Sequence, residues 1–98
     1  MEKGLTWNKS AANRLSRELK RISQDSILQA ERVEEGILKC LDRALKNPES
    51  YPLDKYKLKN NGDHRAFETH SYRVSYRHLK NEVRVLRIRH VKQCPKDY

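Results

Sequence analysis

The sequence predicts an α+β fold in which a helix hairpin packs on a mainly antiparallel sheet, with elements in the order β-α-α-β-β-β. Two apolar stripes with helical spacing occupy the first half of the chain, and an alternation of apolar and polar residues typical of strands follows Gly62. With 98 residues the chain has room for about one domain, so residues 1–98 are predicted to form a single unit.

The first half predicts a short strand and two helices. Leu5-Thr6-Trp7 is a candidate opening strand, and Ser10 is a candidate N-cap for the first helix. A polar break over residues 23–26 separates it from a longer second helix, which ends before Asn47-Pro48. The two apolar stripes consist of Ala11, Ala12, Leu15, Leu19 and Ile22, and of Ile27, Ala30, Val33, Ile37, Leu41 and Ala44 or Leu45.

The second half predicts a loop followed by three strands. Pro, Asn and Gly residues between Pro48 and Gly62 indicate the loop, and the strands lie within 65–70, 72–77 and 83–91. In the middle strand three apolar residues alternate with three polar ones, which predicts one core face and one basic face. These are Tyr72, Val74 and Tyr76, and Arg73, Ser75 and Arg77. In the last strand the apolar parity changes between Val85 and Leu86, which predicts a bulge or a strand buried on both faces, and the face of His90 stays open.

Composition excludes several classes of protein. The mean hydropathy is −1.05 and no apolar run reaches 18 residues, so no transmembrane helix is expected. The polar beginning of the chain predicts no signal peptide and hence a cytoplasmic location. Cys40 and Cys94 have the spacing of neither a disulfide framework nor a zinc finger and are predicted to be free thiols. The histidines lack metal-ligand spacing and no glycine-rich phosphate loop is present, so neither a metal nor another cofactor is expected.

The positive charge is concentrated in the second half of the chain. The net charge is +9, and residues 1–50 hold 10 basic and 8 acidic side chains whereas residues 51–98 hold 12 and 5. A basic surface attracts polyanions, either nucleic acid or an acidic protein. From charge alone, one interpretation is therefore a basic nucleic-acid-binding module.

Five segments together resemble the RelE/ParE superfamily of toxins from bacterial type II toxin–antitoxin modules. They are Trp7 with Ala12 and Leu15, Leu45-Lys46-Asn47-Pro48, Gly62-Asp63-His64-Arg65, Tyr72-Arg73-Val74-Ser75-Tyr76, and Val85-Leu86-Arg87-Ile88-Arg89-His90. The resemblance covers nearly the whole chain. It implies a growth-arresting toxin that a cognate antitoxin protein holds inactive in a hetero-oligomer. We expect that antitoxin to lay an acidic, partly helical segment over the basic sheet face and the helix hairpin.

The resemblance leaves two targets open. RelE-like members cut messenger RNA on the ribosome, whereas ParE-like members poison DNA gyrase and have no recognised catalytic residues. The preferred hypothesis from the sequence is a metal-independent endoribonuclease acting on ribosome-bound mRNA, and the alternative is a non-enzymatic gyrase inhibitor. Neither requires a membrane.

The ribonuclease hypothesis assigns four candidate catalytic residues. A metal-free ribonuclease needs a base for the ribose 2′-OH, cations for the phosphorane and an acid for the leaving oxygen. The resemblance assigns Arg73, in the family's Tyr-Arg-x-x-Tyr strand, to the scissile phosphate. Arg65 matches a position that is often basic and is expected beside Arg73, while Arg87 extends the basic surface. His90, at the end of the last strand, is the candidate acid or base.

Six further residues are candidate nucleic-acid contacts. They are Lys55, Lys57, Lys59, Arg77, Arg89 and Tyr98. If their segment is extended, the alternating lysines lie on one side of it and could contact phosphates. The alternative is that a charged strand edge prevents edge-to-edge aggregation. Tyr98 is a candidate for stacking on a base, since some ribonuclease members use a C-terminal tyrosine. The strand before the Tyr-Arg motif has one cation where RelE has several lysines, and Lys92-Gln93 stands where RelE has an arginine, which favours the alternative.

Overall fold

The computed structural model describes residues 4–93 and 96–98, and its elements follow the predicted β-α-α-β-β-β order. Their bounds are β1 Gly4–Trp7, α1 Lys9–Asp25, α2 Ile27–Lys46, a short 3₁₀ helix Pro48–Ser50, β2 His64–Thr69, β3 Tyr72–His78 and β4 Glu82–His90. Both helices pack on the sheet. Cys40 is a free thiol, as predicted, whereas Cys94 lies outside the described residues.

The helices lie where their apolar stripes predict them, with two corrections. The N-cap of the first helix is Asn8, two residues before the predicted Ser10, because Asn8 adopts extended backbone angles and its carbonyl accepts the Ala12 N–H at 3.0 Å. Ser26 separates the two helices, and its hydroxyl caps α2 by accepting the Gln29 N–H at 3.1 Å. Ile27, predicted to face the core, is the first residue of α2 and is 69% exposed.

The sheet has the strand order β1-β4-β3-β2 and is mainly antiparallel, as predicted. The exception is β1, which runs parallel to β4 and pairs only with its first half, from Glu82 to Val85. The Asn8 N–H still donates to the Val85 carbonyl at 2.9 Å. The chain then leaves the sheet because α1 begins at Lys9. The second half of β4 therefore has an edge that β1 does not cover.

A β-bulge in β4 resolves the alternatives left by the sequence. Ser75 of β3 faces Arg87 and Tyr76 faces Val85, so Leu86 is the extra residue on β4. The bulge explains the shift in parity, because Val85 on one side of it and Ile88 on the other are both buried, at 0% and 5% exposure.

The bulge also decides which face of the sheet each cation occupies. Residues directly opposite each other in an antiparallel pair lie on the same face. Tyr72 pairs with His90, so both lie on the side that the helices cover, here called the helix face. Arg73 pairs with Arg89 on the other side, here called the open face, where Ser75 and Arg87 also lie.

The core fills the space between the helices and the helix face. Tyr72 and Tyr76 belong to it, as predicted, and the Tyr76 hydroxyl donates to the Pro48 carbonyl at 2.6 Å, which satisfies its one buried donor. The largest fully buried side chains from α2 and the strands are Ile37, Leu41, Val74, Tyr76, Val83 and Val85. Each aliphatic side chain buried in this way contributes about 1.5–3 kcal/mol to folding.

Candidate functional site

The Arg73 guanidinium is held by two carboxylates at the centre of the open face. Its Nη2 lies 2.8 Å from Oδ1 of Asp54, which comes from the loop before β2, and its Nη1 lies 3.1 Å from Oε2 of Glu68, its direct neighbour on β2. The Arg73 side chain is 11% exposed and that of Asp54 is fully buried. The predicted outward face of Arg73 is confirmed, but within this fold its charge is already compensated.

Asp54 organises this cluster because its carboxylate accepts several hydrogen bonds. The Tyr98 hydroxyl donates to it at 2.6 Å, and the Tyr56 N–H donates at 3.1 Å. Burial alone raises the pKa of Asp54, but the bonds from Tyr98 and Arg73 outweigh it and hold that pKa below its usual value. For the Tyr98 phenol, burial and the bond to Asp54 both raise the pKa. The carboxylate therefore stays ionised and the phenol stays protonated.

Two tyrosine rings contact three of the open-face arginines. The guanidinium carbons of Arg73 and Arg89 lie 4.9 and 4.8 Å from the centroid of the Tyr56 ring, within the range of cation–π contacts. The Arg87 guanidinium lies 4.6 Å from the centroid of the Tyr98 ring. Tyr98 is itself fixed, since its N–H donates to the Tyr56 carbonyl at 2.9 Å. Its ring, predicted to stack on a base, contacts cations of the same chain.

The four predicted catalytic residues are divided between the two faces. Arg73 and Arg87 lie on the open face, whereas Arg65 pairs with Tyr76 and donates from Nη1 to the Tyr51 carbonyl at 2.8 Å, on the helix face. The predicted placement of Arg65 beside Arg73 is wrong, because the register puts Glu68 there.

His90 lies on the helix face, with its ring centroid 5.3 Å from that of Tyr72. The Tyr72 hydroxyl in turn donates to a carboxylate oxygen of Glu18 on α1 at 2.8 Å. His90 is therefore separated by the sheet from the cluster around Arg73, a placement that the alternation in β4 could not decide without knowledge of the bulge.

The other candidate nucleic-acid contacts do not form the predicted row. Residues 55–59 form turns rather than a strand, and Lys59 has a φ of 51°, so the three alternating lysines do not share one face. Lys57 Nζ bonds to the carbonyls of Leu58 and Tyr98, at 3.0 and 3.3 Å. The lysine row is therefore replaced by a loop folded against Tyr98.

Arg77 is the most exposed of the strand arginines in the candidate set, but it too has a carboxylate partner. Its Nε lies 2.8 Å from Oδ2 of Asp63. Desolvation alone raises the pKa of Asp63, but the hydrogen bonds from Arg77 and His64 lower it to about 2.

The sequence analysis did not anticipate the roles of Asp54 and Tyr56. Both lie in an irregular loop, where no periodicity indicates which side chains turn inward. The one available indication was that Asp54 is an isolated acid just before the alternating lysines Lys55, Lys57 and Lys59. Over residues 4–93 and 96–98, no group of three or more His, Cys, Asp or Glu is placed to hold a metal ion. In the same ranges, neither helix is long and apolar enough to cross a membrane.

Comparison with known structures identifies the fold. A chain of the chromosomal ParDE system from P. aeruginosa superposes with a TM-score of 0.68 at 15% identity, covering 91% of this chain and 96% of that one. E. coli RelE, as a double arginine mutant in the free state, gives a TM-score of 0.54 at 19% identity over 94% and 86%. YoeB from Staphylococcus aureus, solved as a dimer, gives 0.50 at 20% identity over 92% and 98%. At these identities the likeness shows a shared fold.

Sequence comparison identifies the family. No curated protein sequence gives a significant match. The family model of the ParE toxin of the parDE type II toxin–antitoxin system matches residues 5–95, which is nearly the whole chain and includes both helices and all four strands apart from Gly4. The chain therefore belongs to the ParE toxin family of type II toxin–antitoxin systems.

Proposed function

We propose that this toxin arrests growth by binding DNA gyrase and not by cleaving messenger RNA. Membership of the family implies a cognate antitoxin as its partner. The proposal about the target rests mainly on the state of Arg73, whose guanidinium is paired with Asp54 and Glu68. An arginine that stabilises a phosphorane must offer its N–H groups to the phosphate. Here Nη1 and Nη2 of Arg73 point at carboxylates, and its Nε is buried.

The separation of the other candidates supports the same conclusion. Cleavage of RNA without a metal requires base, acid and cations within hydrogen-bond reach of one phosphodiester. His90, the candidate acid or base, is on the helix face against Tyr72, while Arg73 and Arg87 are on the open face. A toxin that acts by binding needs no such convergence, and the ParE family match favours that mode of action.

The decisive experiment applies the purified toxin to two reactions. We expect inhibition of supercoiling by purified gyrase, and intact mRNA in primer extension after a reconstituted translation reaction. A His90→Gln variant sharpens the comparison, because loss of a general acid or base slows catalysis by about 10²–10⁴-fold. For a gyrase inhibitor, His90→Gln should change the inhibitory concentration by less than about twofold, since this substitution changes no charge on the open face.

Ribosome-dependent cuts that disappear in His90→Gln, together with unaffected gyrase, would overturn the proposal and restore the ribonuclease hypothesis. A circular dichroism melt of the variant provides the control for folding. If the protein has neither activity and its induction in cells does not arrest growth, the basic module without toxicity becomes the remaining interpretation.

A further inference from the structure

A basic cleft lies where the first turns of α1 pass the uncovered edge of β4. It has a volume of about 530 Å³ and is open to solvent. Its cationic lining comes from three separate segments: Arg14 and Arg17 on α1, Arg87 and Arg89 on β4, and Lys96 beyond the strand. The sequence analysis named Arg87 and Arg89 as candidates but not the cations that join them from α1, because those residues are distant along the chain.

The cations of this basic cleft have little acidic compensation, unlike three other strand arginines. Arg73, Arg77 and Arg84 each have an ion-paired carboxylate. In the described ranges, by contrast, no ion pair is formed by Arg17, Arg87, Arg89 or Lys96. Arg14 bonds to the Gln93 side-chain oxygen at 2.7 Å and lies 3.6 Å from Glu18.

Two of these arginines are fixed in place before any ligand arrives. The Arg87 guanidinium stacks on Tyr98 and donates to the Lys96 carbonyl at 3.0 Å, and the Arg89 guanidinium stacks on Tyr56. Stacking occupies the flat face of a guanidinium and leaves N–H groups at its edge. Nη1 of Arg89 is buried with no hydrogen-bond partner in the described part of the chain, a state that it shares with Nε of Arg65 and of Arg73 outside the cleft. Among the residues that line the cleft, it is the donor that lacks an acceptor.

The cations are distributed along the cleft and do not converge on one point. Arg14 and Arg17 are three residues apart on a helix, about 4.5 Å along its axis. Arg87 and Arg89 are two residues apart on a strand, about 6.6 Å. A row of cations from two elements suits a chain of phosphates better than a single anion.

The apolar part of the lining argues against an acidic peptide. Ala11 and Ile88 are 2% and 5% exposed, and only Leu86 among the apolar lining residues is partly exposed, so the cleft offers a single side chain to the apolar anchors with which peptides usually bind. Neutral polar groups at Ser10 and Gln93 complete the rim, and hydroxyl and amide side chains are common phosphate contacts.

We propose that this basic cleft binds the phosphate backbone of duplex DNA. The choice of DNA rests on the proposed function, because gyrase acts on duplex DNA and a toxin seated on it could contact both. Binding is expected to be independent of sequence, since the contacts argued for the cleft are those of cations with phosphates, which carry no sequence information.

The test measures binding of the full chain to a fluorescent duplex of about 20 base pairs, roughly two turns, by anisotropy over a range of NaCl concentrations. Arg17→Gln removes one unpaired cation of the cleft. Arg32→Gln is the matched control, since both arginines are exposed on helices and Arg32 lies on α2 outside the cleft. We expect Arg17→Gln to weaken binding about fivefold near 0.15 M NaCl and to reduce the salt slope by about one, with less than twofold loss for Arg32→Gln.

Equal effects of the two substitutions would overturn the proposal, as would the absence of duplex binding up to about 100 µM, the weak limit of non-specific DNA binding. Single-stranded RNA and a poly-glutamate peptide of similar charge serve as competitors. If either competitor binds more tightly than the duplex and shows the same dependence on Arg17, the cleft serves RNA or an acidic protein, and the assignment to DNA is wrong.

The outcome is separable from the test of the proposed function. A toxin that inhibits gyrase but does not bind DNA through Arg17 contradicts only the cleft. A toxin that binds duplex DNA through Arg17 but leaves gyrase active contradicts only the gyrase proposal.

Discussion

Asp54 lies 19 residues before Arg73 in the chain, yet its carboxylate is 2.8 Å from the Arg73 guanidinium. The outward face of Arg73 could be predicted because strand alternation is a local property. Its partner could not, because Asp54 comes from an irregular loop whose path depends on contacts with β2 and Tyr98. The chemistry of an arginine thus follows from a neighbour that local sequence does not reveal.

We predict that Asp54→Asn destabilises the protein by about 3–5 kcal/mol at pH 7. The substitution leaves Arg73, whose side chain is 11% exposed, with only the more exposed Glu68 as an acidic partner. Removing one member of a buried ion pair is strongly destabilising because the remaining charge is poorly solvated. Urea denaturation followed by circular dichroism measures the change.

Asp42→Asn is the matched control, because Asp42 forms an exposed i,i+4 pair with Lys46 and should contribute less than about 1 kcal/mol.

The pH dependence of the free energy of unfolding provides a second measurement. The pKa of Asp54 is lowered in the folded state, so its contribution is present above the unfolded value near 3.8 and is lost as the pH falls through the folded pKa. The stability of the wild type should thus fall more steeply than that of Asp54→Asn below about pH 4. Parallel pH profiles would contradict this role for Asp54.

At the scale of elements, the helices and strands could be predicted because each buries one face and repeats with its own period. The predicted strand bounds imply a short β2–β3 connection, but the conformation of its turn could not be predicted. It consists of His70 and Ser71, both with positive φ, at 48° and 69°. Asn and Gly are the usual residues at such positions, so the common sequence indication of a two-residue turn is missing here.

The same turn packs against α2 at Gly36. A methyl group on Gly36 would lie 2.4 Å from Nδ1 of His70 and 3.2 Å from Oγ1 of Thr69, closer than van der Waals contact allows. Gly36 therefore has a packing role in the middle of α2, where glycine is otherwise less favourable than alanine by about 1 kcal/mol.

A double-mutant cycle tests this contact. We predict that Gly36→Ala destabilises the wild-type protein by about 1–3 kcal/mol, as overpacking does, despite the higher helix propensity of alanine. In a His70→Gly background the obstructing ring is absent, and the same Gly36→Ala substitution should stabilise by about 0.5–1 kcal/mol. Urea denaturation of the four proteins gives the coupling energy. An equal effect of Gly36→Ala in both backgrounds would show that the His70 ring does not obstruct a methyl group at position 36.

At the scale of the whole molecule, the sequence predicts which half of the chain carries the excess positive charge. It does not predict which individual cations stay unpaired. The second half contains most of the excess positive charge, as counted from the sequence. Its carboxylates, however, pair with particular strand arginines in the fold, among them Arg73, Arg77 and Arg84. The unpaired cations at the second half of β4 meet others from α1, in the first half, whose net charge of +2 gave no indication of a basic site.

We predict that this concentration of unpaired charge limits stability at low salt. Arg17 lies one helical turn from Arg14, and like charges at this spacing repel by a few tenths of a kcal/mol. At about 10 mM NaCl, where screening extends over about 30 Å, Arg17→Gln should raise Tm by roughly 1–3 °C, and the gain should largely vanish at about 0.15 M. Arg84→Gln changes the net charge equally but removes the ion pair with Glu82, so it should give no gain. Thermal melts of the three proteins at both salt concentrations provide the measurement. A low-salt Tm for Arg17→Gln at or below that of the wild type would show that repulsion among the charges of the basic cleft does not destabilise the free protein.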